Sequence, residues 1–156
     1  MGQREEKLQQ AGYDLDKITV PKAKYVLLKK AGNLLYSSGA LPMDGDVLCS
    51  TGKVPTDVSQ EKAQEMAALC VANILRAIRA TYGSLDGIKQ VVKLNGFVNS
   101  AADFPNQHLV MNGASELLLS VFGGAAGEHA RAAVGVAMLP LNASVEVEVI
   151  FELTEA

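Results

Sequence analysis

The sequence predicts a two-layer α+β fold with two helices lying on one face of a mixed sheet. Three features predict it: a hairpin signal early in the chain, two segments of helical apolar periodicity separated by a β-rich run, and a final segment in which valine alternates with glutamate. Two amphipathic helices of one stripe each cover only one face of such a sheet. The other face carries small residues such as Ala133 and Gly135 beside few charges, so a partner copy packed there is expected.

Arg4 to Tyr13, REEKLQQAGY, reads as a short polar helix of weak amphipathicity, and residues 1–20 are expected to form an N-terminal helical extension to a single domain over 21–156. From Lys24 the pattern changes to strands. KYVLLKK and LLYSSG flank the turn pair Gly32-Asn33, the signature of a two-residue hairpin. Leu41 to Pro55 is rich in Gly, Asp and Pro and reads as a loop with a short strand at Val47 to Cys49. Asp57 with Gln60 three later resembles a capping box, and Met66, Leu69, Cys70, Asn73, Ile74, Ala77 and Ile78 follow at spacings of three and four. These predict a long helix ending near Tyr82-Gly83. VVKLNGFV is β-rich but alternates imperfectly. Asp103 is the expected N-cap of a second helix with Pro105 in its first turn, and Val110, Ala114, Leu117, Leu118 and Val121 form its stripe. RAAVGVAML and SVEVEVIFEL complete the chain as two strands.

Composition narrows the function. The 156 residues carry 14 Lys plus Arg against 17 Asp plus Glu, with 5% aromatic residues and no Trp. That is a poor footprint for nucleic acid, which is recognised with basic surface and stacking rings. Every apolar run falls far short of the roughly 18 residues of a membrane span, so a soluble, cytoplasmic protein is expected. Cys49 and Cys70 form no C-x-x-C pair, and only His108 and His129 are present; no metal and no cofactor is expected.

Alternation in the strand from Arg131 puts Arg131, Ala133 and Gly135 on one face. One guanidinium then stands beside two positions with almost no side chain, a hollow suited to bidentate capture of a small carboxylate; the alternative is an ordinary strand-initial Arg held to a surface acid. Glu146 and Glu148 share a face of the next strand. Were that strand to pair antiparallel with the Arg131 strand, one of them enters the same hollow and polarises a water; otherwise both are solvated edge positions. His108 reads as a surface or interface residue, and His129, two before Arg131, is either a neighbour of the site or a residue with no role there, since no partner is visible. Ser37-Ser38-Gly39 is a strand exit whose backbone N–H groups suit an oxyanion or water.

GNLLYSSGALP, VVKLNGFVNSAADF and RAAVGVAMLPLNASVEVEV, in this order and at these separations, resemble the reactive intermediate deaminase family, RidA/YjgF, formerly called endoribonuclease L-PSP. The resemblance runs from about Tyr25 to Leu153, and its most specific part is the Arg, the Leu-Pro and the V-E-V-E strand at this spacing. It implies a chorismate-mutase-like fold, a homotrimer, and clefts between subunits that bind small carboxylates. It further implies hydrolysis of enamine and imine intermediates such as 2-aminoacrylate to 2-keto acids and ammonia. Under it, Arg131 matches the carboxylate-binding Arg and Glu146, not Glu148, the Glu that orients water. Tyr25 matches the cleft Tyr, Ser38 and Gly39 the segment whose backbone lines the site, and Asn112 a cleft-side Asn. The chain departs from the family where it has Ala40-Leu41 before Pro42, Ala133 where many members have Cys, a longer second helix and an added N-terminal helix. These departures mark a divergent subgroup. The leading expectation is an imine or enamine hydrolase. The alternatives are a non-catalytic trimer that binds a 2-keto acid and, third, an RNA-cleaving or translation-inhibiting protein.

Overall fold

The computed structural model describes residues 1–155. Helix α1 (Gln3–Gln10) leads by a long connection to a hairpin of β1 (Leu28–Ala31) and β2 (Leu34–Ser37). A small ribbon, β3 (Met43–Asp44) with β4 (Val47–Leu48), precedes the long helix α2 (Gln60–Tyr82), strand β5 (Ile88–Asn99) and helix α3 (Gln107–Phe122). A single turn, α4 (Gly124–Gly127), strand β6 (Ala130–Val136), a 3₁₀ turn at Pro140–Asn142 and strand β7 (Val145–Leu153) complete the chain. The expected order of hairpin, helix, strand, helix, strand, strand is the observed one. The expected first strand is shorter, since Lys24 to Leu27 lie outside it.

The main sheet has the order β1-β2-β7-β5-β6, antiparallel throughout except for the parallel pair β5 and β6. The antiparallel pairing of the last two strands, the condition for a glutamate to enter the hollow beside Arg131, does not occur. Strand β6 is reached from β5 through α3, and such a crossover lays the second strand parallel beside the first. Strand β7 then fits between β2 and β5 and never touches β6. The imperfect alternation of VVKLNGFV has a physical origin as well: the register of β5 on β7 slips between Ile88 and Gln90 and again between Val91 and Lys93.

Leu35, Leu94, Val145, Val147, Val149 and Phe151 point from the sheet into a core closed by the stripes of α2 and α3, including Cys70, Ile74, Ile78, Val110, Leu118 and Val121. Strand alternation turns Tyr36, Ile150, Phe97, Val134, Glu146 and Glu148 to the opposite face, which no helix covers; Tyr36 keeps 41% and Val134 47% of its surface exposed. Helices α2 and α3 approach closely where Gly113 meets the backbone of Gln64, with no room for a side chain.

Both expected helix caps are displaced. Ser59, not Asp57, caps α2, its hydroxyl accepting the Lys62 N–H at 3.1 Å, while Asp57 turns back to accept the Lys53 N–H at 2.8 Å. Helix α3 starts after Asn106 rather than at Asp103, because Gln107 Nε2 donates to the Phe104 carbonyl at 2.7 Å and to Ser100 Oγ at 3.2 Å, closing residues 100–106 into a hydrogen-bonded loop. The long helix does end at Gly83, in the left-handed conformation.

Helix α1 is bound into the core. Leu8 is fully buried, and Arg4 stacks over the Phe122 ring at 4.8 Å while donating to the carbonyls of Leu85 and Ile88. Glu5 is also buried and accepts the Leu85 N–H and the Ser84 hydroxyl. Burial alone raises its pKa, but these bonds outweigh it and hold the carboxyl below its ordinary value.

Candidate functional site

The residues expected to form one site divide into two groups on opposite faces of the sheet. On the helix face at the β6 edge, Leu94 pairs with Arg131 and Gly96 with Ala133. Arg131 therefore points along α3. Its Nη1 donates to Asn112 Oδ1 at 2.9 Å and to Ser115 Oγ at 3.2 Å, and its Nη2 donates to the His108 carbonyl at 3.2 Å. Nε–H and one Nη2 proton then have no acceptor among the described residues. Both remain to donate to a carboxylate. The small side chain of Ala133, half-buried two residues along, leaves the approach open.

Two residues not predicted from sequence fix this arginine. Ser115 accepts from Arg131 and also meets His129 Nε2 at 2.9 Å, while His129 Nδ1 donates to the Gly127 carbonyl at 2.7 Å. With Nδ1 donating to a carbonyl, Nε2 is left to accept the Ser115 hydroxyl, and the hydroxyl's lone pairs turn to the guanidinium. A serine on the flank of an apolar helix stripe gives no sequence signal of this; His129, two residues before Arg131, gave the only hint.

On the open face, β7 carries Glu146. Its neighbour across the chain is Gly39, and a Cβ built on Gly39 lies 2.7 Å from Glu146 Oε1. Only glycine admits the carboxylate here. Glu146 has no hydrogen-bond donor among the described residues, whereas Glu148 accepts from Asn95 Nδ2 at 3.0 Å. Half-burial raises the pKa of Glu146 above the ordinary carboxylate value, and the like charge of Glu148 adds to the shift. Ser38 is held by its hydroxyl, which donates to the Val26 carbonyl at 2.6 Å, and by its N–H, which donates to the Leu27 carbonyl at 2.8 Å. Tyr25 stands beside it, 53% exposed, and with Ser38 and Gly39 it borders a cleft of about 280 Å³.

The structure thus joins Arg131, Asn112 and Ala133, and separately Glu146, Gly39, Ser38 and Tyr25. It does not join the two groups. Strand β5 separates them and they face opposite ways, so within one chain Glu146 does not enter the hollow beside Arg131.

The chain is thus a two-layer α+β domain with an arginine held by α3 at one sheet edge and, on the bare face, a carboxylate with no donor among the described residues. Residues 16–153 match the model of the endoribonuclease L-PSP family, and the chain belongs to it. It is 43% identical over 146 residues to Protein TCP17 of Trypanosoma cruzi, covering 94% of this chain and 91% of that one. It is 32% identical over 128 residues to the 2-iminobutanoate/2-iminopropanoate deaminase of Dermatophagoides farinae, covering 82% and 84% respectively. Among solved structures, a protein of unknown function from Agrobacterium tumefaciens superposes with a TM-score of 0.90 at 47% identity, over 97% of this chain and 92% of that one. No helix among the described residues is long and apolar enough to cross a membrane.

Proposed function

We propose that the chain hydrolyses 2-imino acids and their enamine tautomers to 2-keto acids and ammonia, in clefts that two copies of the chain build together. The observation that carries this reading is that, among the described residues, each half of the site ends in unused capacity: Nε–H and one Nη2 proton at Arg131, and a carboxylate without a donor at Glu146. The 32% identity to an iminobutanoate/iminopropanoate deaminase supports it.

The chemistry asks little of the protein because an imine is already reactive. Arg131 takes the substrate carboxylate on its two free N–H groups and so fixes where the imine carbon lies. Glu146, made more basic by burial and by Glu148, accepts a proton as water attacks that carbon. The proton passes to nitrogen, giving a carbinolamine. The hydroxyl proton then follows the same route as the C–N bond breaks, and ammonia leaves with the bonding pair. Water is the only co-reactant.

The test generates 2-iminopropanoate in situ with an amino-acid oxidase and follows the loss of semicarbazide trapping as the protein is added. Acceleration by wild type is the expected outcome. Arg131→Ala should lose about 2–4 kcal/mol of small-carboxylate binding while folding normally. Glu146→Gln should retain keto-acid binding and lower hydrolysis roughly 100-fold, with Glu148→Gln near wild type at neutral pH. If wild type accelerates no imino acid, the hydrolase reading falls and a keto-acid-binding protein takes its place. RNA cleavage has less support: acidic residues outnumber basic ones, and the pairing of Lys29 with Tyr36 and of Lys30 with Leu35 sends adjacent lysines to opposite faces of the sheet.

A further inference from the structure

The acceptors that hold Arg131 are not equally firm. A long side chain loses rotamer freedom when it takes a ligand, so one that is already fixed binds at less cost. The His108 carbonyl belongs to the backbone of α3, and Asn112 Oδ1 can only accept. Ser115 is different, because its hydroxyl both donates and accepts. It accepts from Arg131 Nη1 only while its own proton is directed elsewhere. A serine within a helix has a competing use for that proton, the carbonyl four residues back, here that of Met111. Donation there would draw Oγ against its own helix and away from β6.

His129 removes that choice. Its Nδ1 lies 2.7 Å from the Gly127 carbonyl and its Nε2 lies 2.9 Å from Ser115 Oγ. A carbonyl can only accept, so in the neutral imidazole the one proton sits on Nδ1, and Nε2 is left to accept from the hydroxyl. Both ring nitrogens are then engaged, and His129 has nothing to offer a substrate directly. The Gly127 carbonyl is itself held. The Gly127 N–H donates to the Gly123 carbonyl at 2.8 Å, and a Cβ built on Gly127 would lie 3.0 Å from Leu119 Cα and 3.1 Å from the Leu118 carbonyl oxygen. Helix α4 is therefore seated on the backbone of α3, the helix that carries Asn112 and Ser115. The row of bonds runs from the α4 backbone through His129 and Ser115 to Arg131, and none of these residues is fully exposed.

We propose that His129 is a positioning residue for carboxylate recognition. Its Nδ1–H tautomer, set by the Gly127 carbonyl, keeps the Ser115 hydroxyl as an acceptor for Arg131 and so holds the guanidinium in its binding posture before a ligand arrives. The inference rests on Arg131 as the carboxylate site of the proposed function. It adds a residue that makes no hydrogen bond to Arg131 and acts on affinity through Ser115 alone.

The experiment measures the affinity for pyruvate by calorimetry, with the fold of each variant checked by urea unfolding. His129→Leu and Ser115→Ala should each weaken Kd about 10-fold, the effect of one lost hydrogen bond at a charged group. His129→Gln, whose amide can donate to Gly127 and accept from Ser115, should stay within about 2-fold of wild type. The double variant His129→Leu/Ser115→Ala should bind like Ser115→Ala alone, because the two residues act in series. Additive losses overturn the inference, since a residue that only supports the fold weakens binding independently of Ser115. Wild-type affinity in Ser115→Ala overturns it too, and that variant puts the best helix former into a helix, so it stands even where His129→Leu fails to fold. A second arm needs no ligand. Nitrogen NMR of the wild-type protein at about pH 8, where histidine side chains are neutral, should show the proton of His129 on Nδ1, and a proton on Nε2 overturns the relay. If Arg131→Ala binds pyruvate as wild type does, the reading of the carboxylate site falls, and the inference falls with it; if Arg131→Ala loses binding while the His129 and Ser115 variants keep it, only the inference falls.

Discussion

Among the described residues no group offsets the charge of Glu146, and under the proposed hydrolysis this sets the pH dependence. Burial first and the charge of Glu148 second hold its pKa above the ordinary carboxylate value. A general base works in its ionised form, so the acid limb of the pH–rate profile should lie above that of a free glutamate. Removing the like charge with Glu148→Gln lowers the pKa of Glu146, and the limb should move to lower pH with little change at neutral pH. A profile of imine hydrolysis from pH 4 upwards in the two proteins reads this directly; an unmoved limb would mean that another group sets it. Strand alternation set Arg131 beside small residues and put Glu146 and Glu148 on one face, and only the family resemblance chose Glu146 between the two. Ser115 and His129 were not legible, since their roles depend on where α3 lies relative to β6, which no local pattern encodes.

Gly113 shows how two opposed effects are settled by geometry. In an exposed helix, Gly→Ala gains about 1 kcal/mol of propensity. Here the added Cβ lies 2.0 Å from the Gln64 carbonyl oxygen, a backbone atom of α2 that cannot swing aside. Overpacking of this kind costs about 1–3 kcal/mol, so Gly113→Ala should be net destabilising, visible as a lowered urea midpoint at unchanged slope. A raised midpoint would show that the two helices separate easily. At this scale the elements and their buried stripes were legible, because periodicity over a long window is a strong signal. Sequence alone misplaced both N-caps, because Asp57 and Asp103 fit the local pattern while Ser59 and the Gln107 loop are chosen by backbone geometry. It also missed how firmly α1 is held, since the partners of Arg4 and Glu5 lie some eighty residues away along the chain.

For the whole molecule, the bare face of the sheet is the deciding feature. Tyr36, Phe97, Val134 and Ile150 form an apolar surface that the fold leaves uncovered, whereas Ala133 and Gly135, expected there, pair with Gly96 and Val98 on the helix face. Such a surface is expected to be buried against further copies of the chain, and light scattering at micromolar concentration should give a mass three times 16.5 kDa. A mass of one chain would remove the shared cleft together with the reading built on it. The pairing of strands was the least legible part, because the placement of β7 between β2 and β5 follows from the crossover through α3 and not from the order of the strands in sequence.

The separation of Arg131 and Glu146 onto opposite faces makes rescue between two dead proteins possible. A chain with Arg131→Ala keeps an intact glutamate half, and one with Glu146→Gln keeps an intact arginine half. Unfolded together and refolded as mixed rings, they should rebuild one wild-type cleft wherever the two intact halves meet. Random mixing in equal amounts into rings of three returns about a quarter of wild-type turnover, whereas either variant refolded alone returns almost none. Absence of recovery in rings shown to contain both chains would place the two residues in a single chain's site, contrary to the way the sheet faces them.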